Sequence, residues 1–371
     1  MNIVIRTDAS VEIGTGHVMR CLTLAQTLRE KDAKVSFICR ELSGNLSRLI
    51  EDKGFKVYRL PFEEDAGFRS LTKISPEHIT WLGVSWEIDA KQTQNHLREQ
   101  DFNLLVVDHY ALDCRWETQT RRFVKRIMVI DDLANRPHDC DLLLDQNLYP
   151  NQESCYKKMV PNYCKLFLGP KYALLRPEFI IERKKLRKRD GSITRVFIFF
   201  GGNDPTNETV KALNAFKLLN RPDIAVDVVV GGANPHKELI KRLIVTLPNV
   251  TLHCQTKKMA RLMAKADLGM GAGGSTTWER CFMGLPSIIT VLAQNQSEVA
   301  AAVAAAGAAI NLGWKDNVDA QRIAGIIKHF TNHPDSVLEM EKRALQLMGN
   351  FNLDAKNPVI EAVLGDRNEE A

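Results

Sequence analysis

The stretch IVIRTDASVEIGTGHVMR, residues 3–20, decides the fold of the first half of this chain. A short apolar run is followed by a loop with two glycines and then by the start of an amphipathic segment, which predicts a strand, a turn and a helix. Gly14 and Gly16 allow backbone conformations and close ligand approach that other residues resist, and the free N–H groups of the next helical turn face the loop. The stretch therefore predicts a binding site for an anion or a polar ligand.

His17 stands at the predicted helix start. The positive end of the helix dipole disfavours a protonated imidazole there, and the neutral ring can accept a proton. His17 is therefore the first candidate for a general base. On the local pattern alone, a histidine that only caps or packs against a glycine-containing turn is about as good an explanation.

Length, charge and cysteine content limit the class of protein. A chain of 371 residues is long enough for two α/β domains. The net charge of +5 is mild, and much of the excess lies in residues 183–189, which lack interleaved aromatics. We expect a solvated linker there rather than a phosphate or membrane-surface patch, and no nucleic-acid groove.

The cysteines and the apolar runs point to the same class. Eight cysteines without Cys-x-x-Cys pairs or a nearby histidine pattern make zinc an unfavoured ligand and suit a reducing compartment. No signal-peptide pattern opens the sequence, so we expect a cytoplasmic location. The most apolar stretch, Val299 to Ile310, falls short of the roughly 20 residues that span a bilayer and is expected to be a buried helix.

Apolar runs alternate with helix-period stretches through the first half, which predicts a parallel sheet wrapped by helices. The predicted strands are Ile3 to Ile5, Val35 to Ile38, Val57 to Leu60, Leu104 to Val107, Ile127 to Ile130 and Leu142 to Leu144. Ligands collect at the carboxyl ends of such strands, where Asp8, 108–110 and 131–132 would lie. For Asp131 and Asp132 a helix-capping or turn role is the favoured interpretation.

A second strand, turn and helix series begins after the Pro-, Tyr- and charge-containing stretch that ends at Ser192. Strands are predicted at Val196 to Phe200, Val226 to Val230 and Ser287 to Val291, with a helix from Thr206. The glycines and hydroxyls of residues 273–276 predict a second anion-binding loop, and Glu279 lies one turn later, where a carboxylate can accept both hydroxyls of a ribose. For the amides of residues 294–296, capping of the next helix and ligand contact remain equally open.

These patterns give a domain hypothesis. Residues 1–165 form an N-terminal Rossmann-like domain with the catalytic base, 166–192 a linker, 193–350 a C-terminal Rossmann-like domain, and 351–371 a tail with a short helix at Pro358 to Leu364. The expected fold class is α/β with two parallel-sheet domains facing across a cleft, which looks like the GT-B architecture of glycosyltransferases.

The motifs narrow that resemblance. The opening Arg6-Thr-Asp8-Ala-Ser-x-x-Ile-Gly14-Thr-Gly-His17-x-x-Arg20, with Asp108-x-Tyr110, Phe200-Gly-Gly-Asn203-Asp204, Gly273-Gly-Ser-Thr-Thr-Trp-Glu279 and Asn295-Gln296, resembles the PseG family. That family hydrolyses UDP-2,4-diacetamido-2,4,6-trideoxy-β-L-altropyranose in pseudaminic acid biosynthesis, which serves flagellin glycosylation. The resemblance implies an enzyme that inverts the anomeric carbon and uses no metal. We also expect a monomer without a cofactor. Relative to shorter members, we place the extra length at Phe62 to Ile88 and around the linker.

The resemblance also implies residue roles. His17 activates water, and Tyr110 and Asn295 support catalysis on the sugar side. The residues assigned to substrate binding are Asp8, Gly14, Thr15, Gly16, Arg20, Gly202, Asn203, Gly273, Gly274, Ser275, Thr276, Glu279 and Gln296. Donors in the 273–276 loop could replace a metal in neutralising the departing diphosphate, since that group already leaves easily.

Two rival functions stay open. A UDP-sugar glycosyltransferase of the same fold would use the same base on an acceptor hydroxyl, and an exposed hydrophobic patch near the first glycine loop would favour a lipid acceptor. A non-catalytic nucleotide-sugar sensor would bind the UDP-sugar without turnover. The base candidate in the first loop argues against the sensor.

Overall fold

The computed structural model describes residues 1–62, 78–149, 152–349 and 357–365. This part of the chain forms two compact units. The first contains the described residues up to Leu174, apart from Leu148 and Tyr149, together with the C-terminal helix; the second begins at Leu175. The change of unit therefore falls inside the stretch that the sequence suggests as a linker.

The first unit is built on a seven-stranded parallel sheet in the order β3-β2-β1-β4-β5-β6-β7. The strands are β1 (Asn2–Thr7), β2 (Lys34–Arg40), β3 (Lys56–Leu60), β4 (Phe102–Asp108), β5 (Val124–Ile130), β6 (Leu142–Asp145) and β7 (Lys165–Leu168). Both faces are covered, because Ile3 and Ile5 of β1 enter one apolar core and Val4 enters the other. Strand order reverses between β1 and β4, so the chain leaves these neighbours in opposite directions and opens a crevice at their carboxyl ends.

The second unit repeats this plan with six parallel strands in the order β10-β9-β8-β11-β12-β13. They are β8 (Arg195–Phe199), β9 (Ala225–Val230), β10 (Val250–Cys254), β11 (Leu268–Ala272), β12 (Ser287–Val291) and β13 (Ala309–Trp314). Its crevice lies between β8 and β11, at the two glycine loops that the sequence analysis selected. The prediction of two parallel-sheet α/β units is therefore confirmed.

The helices follow the strands in alternation. They are α1 (Gly16–Arg29), α2 (Ser47–Asp52), α3 (Trp86–Leu97), α4 (Cys114–Arg121), α5 (Gln152–Cys155), α6 (Pro177–Arg183), α7 (Glu208–Leu219), α8 (Lys237–Ile244), α9 (Met259–Lys265), α10 (Thr276–Phe282), α11 (Ser297–Ala305), α12 (Ala320–Asn332), α13 (Pro334–Leu347) and α14 (Pro358–Leu364). Helix α14 packs on the core of the first unit, and Arg126 donates to the last carbonyls of that helix, including Val363 O at 2.6 Å. This contact satisfies carbonyls that a helix end leaves unpaired.

The expected single helix over Val299 to Ile310 is wrong. Helix α11 ends at Ala305, Gly307 takes a left-handed conformation with φ of +73°, and β13 begins at Ala309. The alanine-rich composition hid the break, because a helix and a buried strand are both apolar at this length.

The basic run at residues 183–189 is not simply a solvated linker. Arg189 is 2% exposed and donates to the carbonyl oxygens of Ala266 and Gly284, both at 2.9 Å, and to Glu341 at 2.8 Å. Arg187 is paired with Asp267. These two cations join the segment after α6 to the ends of α9 and α10, so part of the run stabilises the second unit.

Candidate active site

The carboxyl end of β4 brings Asp108 next to the start of α1. Asp108 is the last residue of β4 and lies beside Thr7 at the end of β1, while the loop after β1 returns to begin α1 at Gly16. Ser10 holds this loop, because its hydroxyl accepts from the N–H groups of Glu12 and Ile13. Gly14 meets the turn with φ of +76°, which favours glycine.

His17 is oriented by Asp108. Its Nδ1 lies 2.6 Å from Asp108 Oδ1, and the imidazole is 7% exposed. Arg20 Nη2 is farther from the same nitrogen, at 3.3 Å, so we assign the Nδ1 proton to the bond with Asp108. Nε2 is then the acceptor nitrogen, and it has no hydrogen-bond partner among the residues that the structure describes. This is the arrangement of a base held by a carboxylate.

Arg20 keeps that carboxylate ionised. Its Nε and Nη2 donate to the two oxygens of Asp108, each at 2.7 Å, and it also pairs with Asp132. Burial alone would raise the pKa of Asp108, but the charge of Arg20 and the hydrogen bonds from Arg20 and His17 hold it well below its ordinary value. Asp108 therefore accepts hydrogen bonds as an anion throughout the neutral pH range.

Tyr110 completes this group from the turn after β4. Its hydroxyl donates to Asp132 Oδ2 at 2.7 Å, and its ring meets the imidazole of His17 edge to face at 4.5 Å between centroids. Burial, and secondarily the charge of Asp132, raise the pKa of Tyr110 well above its ordinary value. The phenol is therefore a neutral donor, and we name His17, Arg20, Asp108, Tyr110 and Asp132 the His17 cluster.

Asp8, which the sequence predicts to bind substrate, belongs to a buried network of charged side chains. It is fully buried, and its Oδ1 accepts from Arg6 Nη1 at 2.7 Å and from the N–H of Arg40 at 2.6 Å. Arg6 and Arg40 also donate to the buried Asp89. The network anchors the ends of β1 and β2, and a substrate contact by Asp8 stays a prediction.

The sequence left the acidic pair after β5 to a turn or capping role, which fits Asp131 only. Asp131 is fully buried, and its Oδ2 accepts from the N–H of Ala134 at 2.9 Å in the turn. Asp132 instead joins Arg20 to Tyr110. Sequence position could have suggested Asp132, since it follows a strand beside β4, but its two partners come from distant parts of the chain.

In the second unit, the glycine run after Leu268 divides into two parts. Gly271 lies within β11, where a Cβ atom would come within 2.3 Å of Phe199 O, so this glycine serves strand packing. Gly273 to Ser275 form the turn into α10. A Cβ on Gly273 would lie 3.1 Å from Gln296 O, which shows that the turn touches the segment before α11.

Arg280 gives this turn a buried positive charge. Its Nη2 donates to Ala272 O and Thr277 Oγ1, each at 3.0 Å, while Nε and Nη1 are buried without a hydrogen-bond partner in the described parts of the chain. Burial lowers the pKa of Arg280 to about 10, so the guanidinium remains charged at neutral pH. A cation behind a turn rich in N–H groups favours an anionic ligand.

Glu279, predicted to hold a ribose, is already ion-paired. Its Oε1 accepts from Arg176 Nε at 3.0 Å and Nη2 at 2.9 Å, and the side chain is 15% exposed. Burial raises the pKa of Glu279, and Arg176 opposes that shift. Its Oε2 has no hydrogen-bond partner in the part of the chain that the structure describes, so one oxygen remains open to a ligand.

The other predicted residues of this unit occupy neighbouring strand ends. Gly202 and Asn203 follow β8, with Asn203 exposed, while Asp204 caps α7 by accepting from the N–H groups of Glu208 and Thr209. Asn295 is exposed in the 3₁₀ turn Gln294–Gln296. Gln296 Oε1 accepts from the N–H of Leu292, so this side chain holds its loop and does not cap α11.

The described residues contain no cluster of three or more His, Cys, Asp or Glu side chains arranged to hold a metal ion. Within the same ranges, the helices all lack the length and apolar character needed to cross a membrane. Part of the stretch predicted as extra length, residues 63–77, lies outside the described residues.

Comparison with solved structures identifies the fold. The chain aligns with Acinetobacter baumannii MurG over 93% of this chain and 94% of that one, with a TM-score of 0.62 and 14% identity. The glycotransferase of kitacinnamycin gives the same TM-score over 98% of both chains at 15% identity. Likeness at such identities concerns the fold alone, which is that of the GT-B glycosyltransferases. Residues 195–357 also match the model of the glycosyltransferase family 28 C-terminal domain.

Relatives found by sequence similarity identify the family more narrowly than the fold does. The UDP-2,4-diacetamido-2,4,6-trideoxy-β-L-altropyranose hydrolase of Campylobacter jejuni is 28% identical over 72% of this chain and 83% of its own length. An uncharacterised protein of Methanocaldococcus jannaschii is 28% identical, and this chain spans only 56% of that protein. The spore coat polysaccharide biosynthesis protein SpsG of Bacillus subtilis is 33% identical over 84% of both chains. With these motifs and this fold, the chain belongs to the PseG-like family.

Proposed function

We propose that this protein hydrolyses UDP-2,4-diacetamido-2,4,6-trideoxy-β-L-altropyranose to UDP and the free sugar, in pseudaminic acid biosynthesis. The observation that carries the proposal is the His17 cluster: an imidazole ordered by an ionised carboxylate, with its acceptor nitrogen unpaired among the described residues. The relatives supply the substrate, since one is named a hydrolase of this UDP-sugar and another a polysaccharide biosynthesis protein.

The chemistry follows from the ordering of His17. Nε2 takes a proton from water, the water oxygen forms a bond to the anomeric carbon, and the bond from that carbon to the diphosphate breaks. Attack opposite the leaving group inverts the anomeric centre. Asp108 stabilises the imidazolium that forms without taking the proton itself. Tyr110, whose proton goes to Asp132, packs its neutral ring against His17 and can accept a hydrogen bond from the sugar through its oxygen.

The second unit supplies the diphosphate site in this proposal. The N–H groups and hydroxyl of residues 273–276, with the Arg280 charge behind them, would stabilise negative charge on the leaving UDP. Glu279 would accept from the ribose through Oε2. Asn203, Asn295 and Gln296 are further proposed contacts, and the protein is proposed to act as a monomer in the cytoplasm without a metal.

Exposed apolar side chains beside the first glycine loop favour the alternative function, a glycosyltransferase. Val11 is 77% exposed and Met19 is 40% exposed, and both flank the first glycine loop. Such residues could contact an apolar acceptor, although single exposed apolar side chains are common on protein surfaces.

Proton NMR of the purified protein with the UDP-sugar separates the functions. The proposal predicts UDP and the inverted free sugar without any acceptor. A transferase would leave the UDP-sugar intact until an acceptor is added, and a sensor would bind it without product. The transferase result or the sensor result would contradict the proposed hydrolase activity.

A further inference from the structure

We propose that Trp81, stacked on Tyr110, forms an aromatic wall beside His17 that recognises an acetamido substituent of the sugar. The inference rests on the proposed function and deepens it, because it names the residue that selects N-acylated sugars. Neither the sequence motifs nor the relatives point to Trp81.

Ring geometry places the indole in the His17 cluster. The rings of Trp81 and Tyr110 are stacked, with centroids 5.6 Å apart and planes 23° apart. The imidazole of His17 meets both edge on, at 4.5 Å from Tyr110 and 6.2 Å from Trp81. A group bound against this wall would therefore lie next to the base.

The segment that carries Trp81 is anchored on its C-terminal side. Trp81 lies in the 3₁₀ turn Ile79–Leu82, and the next anchors, Leu82 and Val84, are 2% and 1% exposed. Gly83 between them has φ of +73°, and a Cβ there would come within 2.9 Å of Phe62. The His78 ring packs edge on against the same pair, 4.6 Å from Trp81 and 5.2 Å from Tyr110 between centroids. The indole is still only half-buried, so part of its surface is open to a ligand.

The indole nitrogen supplies the second observation. Trp116 and Trp314 donate from Nε1 to Asp89 and Asp316, at 3.0 and 2.9 Å. Trp81 Nε1, like Nε1 of Trp86 and Trp278, has no hydrogen-bond partner among the described residues, and an indole N–H can only donate. Of these three, only Trp81 lies against the His17 cluster. An open donor beside an aromatic face matches an acetamido group, whose methyl packs on the ring and whose carbonyl oxygen accepts.

The alternative is that Trp81 only supports Tyr110 and His17. A supporting role would slow turnover while leaving the affinity for the bound sugar unchanged. Recognition would weaken binding of the UDP-sugar and leave binding of UDP unchanged, because UDP lacks the acetamido group.

Calorimetry in a His17→Ala background tests this without turnover. Trp81→Ala should weaken binding of the UDP-diacetamido sugar by about 10- to 100-fold, the usual worth of a small apolar group in a pocket. Trp81→Phe keeps a ring and loses the donor, so a loss of about 3- to 10-fold is expected. UDP affinity should stay constant in both, and Trp314→Ala, a half-buried tryptophan of the second unit, should change neither.

Equal affinities with and without Trp81, or parallel losses for UDP and UDP-sugar, would overturn the inference. If Trp81→Ala fails to fold by circular dichroism, Trp81→Phe carries the test. Turnover by the otherwise unchanged chain reports separately on the proposed function, so a failure of hydrolysis and a failure of recognition give different results.

Discussion

Each unit has a glycine turn beside its crevice, after β1 in the first unit and after β11 in the second, but the side chains around the two turns differ. After β1 and β4, the turn is backed by paired charges: Asp108 holds His17 and Arg20, and Arg20 reaches Asp132. After β8 and β11, the turn has a single buried cation, Arg280, with two nitrogens unpaired among the described residues. One crevice is internally neutralised around a base, and the other retains unneutralised positive charge.

This difference separates chemistry from binding. A base needs its ring fixed and its acceptor nitrogen open, which the ion pairs of the first unit provide. An anion site needs donors and positive potential that no protein carboxylate already occupies. The same topology can therefore serve both tasks, and the following substitutions test whether the tasks are divided in this way.

The largest effect is expected from His17→Ala. Loss of the base should lower kcat by roughly 10²- to 10⁴-fold while UDP affinity stays nearly constant, since UDP is assigned to the other unit. Steady-state kinetics and calorimetry measure the two quantities. His96→Ala is the control, because it removes a histidine of α3 whose Nδ1 contacts Glu99 outside the His17 cluster. Near-normal turnover without His17 would remove it from the mechanism.

Asp108→Asn should have the next largest effect. The amide can donate to Nδ1 and so favour the tautomer with hydrogen on Nε2, which leaves the ring unable to accept a proton from water. We expect kcat to fall by about 10²-fold because the ring is held in the wrong tautomer, and we expect UDP binding to be retained. Unchanged kcat would show that Asp108 holds the fold and does not orient the base.

Glu279→Ala should weaken UDP binding and leave the rate of the chemical step unchanged. Contacts with a ribose are the same in ground and transition states, so KM and the Kd for UDP should rise, by roughly 10- to 100-fold for a charged hydrogen bond, at constant kcat. Glu178→Ala removes the other carboxylate of Arg176, which lies 3.0 Å from it, and should leave UDP affinity unchanged. A fall in kcat alone would place Glu279 at the reacting carbon.

The smallest effect concerns stability at the end of β6. Tyr156 hydroxyl lies 2.8 Å from Asp131 Oδ2 and 2.9 Å from Asp145 Oδ2. One phenolic proton cannot serve two carboxylates, so the second bond needs a proton on Asp145. Burial, with the charges of Asp132 and Asp131, raises the pKa of Asp145 from 3.8 to about 8.

The raised pKa of Asp145 makes the stability of the folded state depend on pH. Between pH 4 and pH 8 the folded state binds this proton and the unfolded state does not, so its stabilisation is full below pH 4 and is lost as pH rises toward 8. In the Asp145→Asn variant, the side-chain amide can donate to the Tyr156 hydroxyl at every pH. The melting temperature of Asp145→Asn relative to the original chain should therefore rise between pH 5 and pH 8, and a constant difference would contradict the shared proton.

Local patterns were enough to locate both crevices. The strand, glycine turn and helix of residues 3–20 are as predicted, and His17 lies at the helix start. The sequence could not supply Asp108 as the partner of His17, because the contact joins residues 91 positions apart. Trp81 gave no signal either, since a tryptophan in an irregular stretch is normally a packing residue, and its role depends on rings from two other loops.

The same limit applies to the second unit. The sequence predicts the loop at residues 273–276, but it does not show that Gly269 and Gly271 lie in a strand packed against β8. The sequence did not predict β7, β10 and β13. These are edge strands of the two sheets, and their short or mixed sequences lack the long apolar runs of central strands. Burial of Arg280 also depends on packing that periodicity alone does not encode.

Hydrolysis in ¹⁸O-labelled water with excess EDTA tests the central claim, that His17 directs water to the anomeric carbon. Mass spectrometry at early time points should find the label in the free sugar and none in UDP, at a rate that EDTA leaves unchanged. Label in UDP would mean attack at phosphorus and would contradict the role assigned to His17.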